Sequence, residues 1–128
     1  MTRNDAAVLG VFERKVLRKI FGPLRVGDDF RIRTNNELYE LYNDIDVVQR
    51  VNVLRLRWLG HVVRMDDEAP AKTVFDAEVG GRRRRGRPRL RWKDKVVEVL
   101  STLGATNWRR RAQCRSAWSA VIRQVETR

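Results

Sequence analysis

Apolar residues recur at helical spacing over most of the chain. Leu9, Phe12, Val16, Leu17 and Ile20 share one face of a helix predicted over 5–21, and Arg14, Lys15, Arg18 and Lys19 lie elsewhere on it. Asn4 or Asp5 is placed to cap this helix, and Gly22-Pro23 to end it. Gly27-Asp28-Asp29 marks a turn. The strict alternation of Phe30-Arg31-Ile32-Arg33 after it predicts a short extended piece, too small for a sheet. Asn35 or Asn36 can cap a short helix through Glu37, Leu38, Leu41 and Tyr42. Asp46 is expected to cap the longest helix, 47–65. Its inward stripe is expected to be Val47, Val51, Leu54, Trp58, Val62 and Met65, widened by Val48, Leu56, Leu59 and Val63.

Asp66-Asp67-Glu68 and Pro70 close that helix, and Lys72 to Phe75 predict one further turn. Two glycines and Pro88 argue against helix over the next stretch. Helix resumes near Asp94, with Val96, Val97, Leu100 and Leu103 facing inward and Gly104 at its C-terminal end. A last helix, capped by Thr106 or Asn107, turns Trp108, Ala112, Trp118, Val121, Ile122 and Val125 inward. The pattern predicts an all-α fold of about five helices. A helical cluster (1–68) is joined by an Arg-rich irregular connector (69–93) to a C-terminal helix pair (94–128).

Composition adds that the chain can fold: 42% of its 128 residues are hydrophobic, enough for a core. No apolar run approaches the roughly 20 residues that span a bilayer, and no signal segment is expected at the start. One cysteine and one histidine, Cys114 and His61, exclude an intramolecular disulfide and a zinc finger. Cys114 is expected to pack in the interior, and His61 to flank the core without a chemical role.

Charge changes the picture most. The 28 Lys and Arg against 16 Asp and Glu leave a net +12. Residues 82–93 hold eight cations and no acid, so the remaining 116 residues carry only 12 − 8 = +4. The excess is local and mostly arginine, whose planar fork pairs with phosphates and stacks on bases. That points to nucleic acid rather than a membrane, for which the segment has too few apolar residues. The candidate contact residues are Arg82, Arg83, Arg84, Arg85, Gly86, Arg87, Pro88, Arg89, Arg91, Trp92 and Lys93. Within them Arg85-Gly86-Arg87-Pro88 matches the core of an AT-hook. In such a hook glycine lets the backbone lie on the floor of a narrow A·T minor groove while the flanking arginines reach into it. Trp92 can stack on an unpaired base or, the better reading, staple the following helix. Arg50, Arg57 and Arg64, seven apart, drift only ~20° per step on a helix and form a secondary basic row.

Nothing in the sequence supports catalysis. Asp66-Asp67 resembles a polymerase aspartate pair, but it follows a helix rather than lying on a hairpin after an aromatic residue. There is no phosphate-binding glycine loop, nucleophile elbow or metal-ligand cluster. No cofactor, metal or small-molecule substrate is expected.

Several blocks resemble a known family. Phe12 through Pro23, Arg31 through Tyr42, Arg55 through Met65, Gly80 through Trp92 and the Trp108…Arg115…Trp118 ending are similar, in order, to the segment downstream of the polymerase domain in endonuclease–reverse transcriptases of non-LTR retrotransposons. The resemblance implies a nuclear, non-catalytic C-terminal piece that handles template RNA and target DNA, with the parent's absent polymerase domain as a further partner. Asp94-Lys95, Cys114 and Pro70-Ala71-Lys72-Thr73 depart from the family's pattern. The alternatives are a chromatin protein that uses a single AT-hook, and a decayed remnant without activity.

Overall fold

A computed structural model of the chain describes residues 1–77 and 92–127. They form helices α1 (Arg3–Phe21), α2 (Asn35–Tyr42), α3 (Val47–Val63), α4 (Pro70–Asp76), α5 (Trp92–Thr102), α6 (Trp108–Gln113) and α7 (Arg115–Glu126), with strands β1 (Leu24–Val26) and β2 (Asp29–Arg31). Helix takes up 71% of these residues. The all-α expectation holds coarsely, with seven helices among the described residues rather than five. The chain divides into two units, Met1–Val51 and Asn52–Arg128. That division follows packing, whereas the expected boundaries at 68 and 93 follow charge.

In the first unit α1 and α2 both begin with a capping box. Thr2 Oγ1 accepts from the Asp5 backbone N–H while the Asp5 carboxylate accepts from Thr2, and Thr34 and Glu37 repeat the exchange. Neither Asn4 or Asp5 nor Asn35 or Asn36 is the cap. The residue that wins is a threonine with an acid three positions on, because the pair satisfies two free N–H groups at once. Gly22, at φ 64°, ends α1.

The stretch after it is a two-stranded antiparallel ribbon, not a lone extended piece. Leu24 pairs with Arg31 and Val26 with Asp29. Gly27, at φ 66°, takes the first central position of the two-residue turn, where a primed hairpin turn needs a positive φ. Arg31 then holds Glu37 through two hydrogen bonds of 2.9 and 2.5 Å, tying the ribbon to the start of α2. Arg33 donates to the Gly22 carbonyl at 3.1 Å.

The α1 face differs from the expected one. Leu17 is buried, but Phe12 and Ile20 are 63% and 68% exposed, and Val8 and Val11 join them at the surface. Helix α2, eight residues long, offers too little surface to cover a helix of nineteen. What α1 does bury is Glu13. Its carboxylate accepts from the Tyr39 hydroxyl at 3.0 Å and from the Val47 backbone N–H at 2.8 Å. Val47 is the first residue of α3, so Glu13 fills one of the free donors of that helix. Asp46 fills another, accepting from Gln49 N at 2.8 Å as expected of the cap.

The second unit is built on the rest of α3. Val53, Leu56, Leu59, Gly60 and Val62 are buried there, while Leu54 and Trp58 are 54% and 50% exposed. The inward stripe is therefore rotated from the expected one. A helix apolar over more than half its circumference has several faces that could pack, and the neighbours choose. Here the choice falls on the side of Gly60, against which the Trp118 indole lies. Lys72 closes the other end of α3, donating to the Val63 carbonyl at 2.9 Å, a cation where the helix dipole is negative.

Helix α5 buries Val96 and Leu100 and leaves Val97 at the surface. It ends in a Schellman arrangement: Ala105 N donates to Leu100 O and Gly104 N to Ser101 O, both at 3.0 Å, with Gly104 at φ 66°. The expected single last helix is two, broken at Cys114. Cys114 is exposed at that junction rather than packed. Ala112, Trp118, Val121, Ile122 and Val125 face inward as expected.

Candidate nucleic-acid interface

Of the expected contact residues, Arg82 to Arg91 lie outside the described residues. Trp92 and Lys93 open α5 and turn toward α4. The Trp92 ring meets that of Phe75 edge-on at 6.2 Å. Lys93 Nζ lies 4.9 Å from the same ring's centre and donates to the Phe75 carbonyl at 3.3 Å. Trp92 packs against Phe75, but not as a staple: it is the first residue of α5 rather than one before it, and its partner belongs to α4. Together the three residues clasp the chain where it leaves α4 to where it enters α5.

The secondary basic row is not a free cationic face. In the first unit Arg50 pairs with Asp44 at 2.5 Å. In the second, Arg57 pairs with Glu126 at 3.2 Å, and Arg64 donates to the Ala112 carbonyl at 2.6 Å. Each guanidinium already has a partner, because a long side chain beside a packed helix finds the nearest acceptor.

Two members of the row instead form part of something larger. Arg57 and Arg64 on α3, with Arg115, Trp118, Ser119, Ile122, Arg123 and Glu126 on α7, line a groove of about 490 Å³ in the second unit. Its α7 residues recur at spacings of three and four, the outer edge of the stripe whose inner edge is Trp118, Val121, Ile122 and Val125. Four guanidinium groups face one carboxylate there. Sequence reasoning missed Arg115 and Arg123. They are eight apart on one helix face, but nothing in the sequence places that face beside Arg57 and Arg64.

No family model, curated protein or solved structure matches this chain. Its chemistry is therefore read from its own residues.

His61 also differs from expectation. It is exposed, and its ring lies 5.4 Å from that of Trp58, tilted by 50°. Asp66 and Asp67 are both exposed beyond the end of α3. Asp67 lies 3.9 Å from Lys72. Among the described residues no cluster of His, Cys, Asp or Glu could hold a metal ion.

The exposed Cys114 thiol is held below the usual thiol range, first by the Ser116 hydroxyl 3.1 Å away and then by the N–H groups that open α7. No helix among the described residues is long and apolar enough to cross a membrane.

Proposed function

We propose that this chain is a nucleic-acid-binding C-terminal segment of a non-LTR retrotransposon endonuclease–reverse transcriptase. On its own it does no catalysis, and it grips the backbone of template RNA or target DNA through residues 82–93. The observation that carries this reading is eight cations and no acid in those twelve residues, seven of the eight arginine. The ordered blocks of family resemblance supply the ancestry, and with it a nuclear setting. The exposed apolar face of α1, with Phe12 and Ile20, suits the reading's further partner, the polymerase domain of the parent protein.

A salt titration tests the reading. If about six phosphates are neutralised, log K falls with log salt at a slope of roughly −4 to −5. Replacing Arg82–Arg85 together with Ala removes most of the binding and flattens that slope, with helical content by circular dichroism unchanged. An unaltered slope in the variant overturns the assignment.

The Arg85-Gly86-Arg87-Pro88 core supports a second reading, an AT-hook on A·T-rich duplex. Competition among single-stranded RNA, mixed duplex and A·T-rich duplex separates the two. A decayed remnant binds none of the three.

A further inference from the structure

The groove between α3 and α7 is a second set of cations, lined by four arginines outside residues 82–93. Two of its four arginines are engaged within the protein, Arg57 by Glu126 and Arg64 by the Ala112 carbonyl. The other two, Arg115 and Arg123, are exposed, and their guanidinium groups have no hydrogen-bond or ion-pair partner among the described residues. Arginines at a concave surface with one carboxylate between them favour an anion, and their planar forks suit a phosphodiester. The Ser119 hydroxyl adds a donor on the same wall.

A second feature lies on α3 outside the groove's own lining. His61, four residues after Arg57 and three before Arg64, borders their row on the surface of α3, and Trp58 lies beyond it, about 100° round the helix from Arg57. Trp58, half exposed, lies against His61. A large exposed aromatic pair on the same helix as Arg57 and Arg64 offers a face on which a base can stack once a strand runs round α3 from the groove. Bases within a duplex already have both faces covered by their neighbours. An unpaired base does not.

The geometry points to a single-stranded nucleic-acid subsite in the second unit, with phosphates on Arg115 and Arg123 and a base on Trp58 and His61. It rests on the nucleic-acid reading but not on residues 82–93. The two cationic surfaces would divide the work: the basic segment takes any backbone, and the groove takes unpaired strands.

The test uses the full chain and fluorescence anisotropy with short oligo(dT), oligo(U) and a mixed-sequence duplex of equal length. The variants are Arg115→Ser/Arg123→Ser, Trp58→Ala, Trp58→Phe and the Arg82–Arg85 alanine replacement. All the groove substitutions fall on exposed side chains, and circular dichroism checks that the fold survives. Trp58→Ala weakens both single strands about tenfold, the range of one lost base stack. The double serine variant weakens them about as much through lost phosphate contacts, and neither much changes duplex binding. Among the Trp58 variants and the double serine variant, the salt slope falls only in the double serine one. Trp58→Phe, which keeps an aromatic face, retains most of the affinity.

Preference for oligo(dT) or oligo(U) assigns the strand to DNA or RNA, and either supports the subsite. Single-strand affinity unchanged in both variants, or duplex weakened as much as single strand, overturns it. Binding lost only on replacing Arg82–Arg85 keeps the nucleic-acid reading and removes the groove. If the wild type binds no nucleic acid, the nucleic-acid reading itself fails, and exposed Leu54 and Trp58 are left as a protein-docking face.

Discussion

The Trp118 indole lies against Gly60, and its Nε1–H donates to the Leu56 carbonyl at 2.9 Å. A Cβ on residue 60 would overlap the indole ring, so this one position decides how closely α7 approaches α3. Gly60→Ala forces the indole away, and a cost of about 1–3 kcal/mol is expected from overpacking. Trp118→Phe keeps most of the ring and loses the donor, which costs about 1 kcal/mol. Because both changes act on one contact, they should not be additive. Denaturant unfolding of the two variants and their combination measures the coupling.

Glu13 joins three elements of the first unit, so its removal should cost more than any surface acid. Glu13→Ala leaves the Val47 N–H without its acceptor and the Tyr39 hydroxyl without a partner. A loss of about 1 kcal/mol or somewhat more is expected for the part-buried donor. Tyr39→Phe removes one bond of the two and should cost less. Thermal unfolding followed at a probe in residues 1–51 ranks them, and equal losses would show that the tyrosine carries the whole effect.

The carboxyl of Glu37 titrates at about 2 rather than the usual 4.5, chiefly because Arg31 donates to it and next because the Thr34 N–H does. A carboxylate whose folded value is depressed stabilises the fold above its unfolded value, and that contribution fades as pH falls from about 4.5 toward 2. Glu37→Gln should flatten the stability profile across that window and leave its shape above pH 5 unchanged. Carbon-13 titration of the Glu37 carboxyl gives the midpoint directly.

Cys114 is exposed and held toward the thiolate by Ser116. It should alkylate with iodoacetamide faster at neutral pH than an unperturbed cysteine. Ser116→Ala should slow the reaction. Mass spectrometry of timed samples gives both rates.

The hook-like core makes a position-specific claim. If Gly86 lies on the floor of an A·T minor groove, Gly86→Ala weakens A·T-rich duplex binding by on the order of 1 kcal/mol, since shape readout depends on position. Mixed duplex and RNA should scarcely change. Equal losses on all three would make the segment a plain electrostatic contact.

Which parts of the molecule could be read from the sequence depended on how local their causes were. Asp46, Gly22 and Gly104 act through the backbone within a few residues, and all three are where the pattern put them. Thr2 and Thr34 carried an equally local signal, although Asn4 or Asp5 and Asn35 or Asn36 were expected as the caps. A threonine with an acid three residues on outweighs a nearer asparagine, because the box satisfies two donors instead of one.

The faces of α1 and α3 were not legible. Phe12 and Trp58 have the spacing of core residues, yet whether they are covered depends on how much helix arrives from elsewhere in the chain. The one local hint was Gly60, a glycine inside a strongly helical stretch. Such a residue signals close approach, though not by what. The groove lay furthest from view, since it needs the α3–α7 pairing before Arg115 and Arg123 mean anything.

The contact of Phe75 with Trp92 and Lys93 bears on how this protein can vary over generations. What the clasp requires is that the two ends of the intervening stretch meet. Those contacts belong to Phe75, Trp92 and Lys93, none of them within residues 78–91. Changes of sequence between those ends therefore leave the clasp's own contacts in place. Selection can vary the charge carried there so long as Phe75, Trp92 and Lys93 are kept.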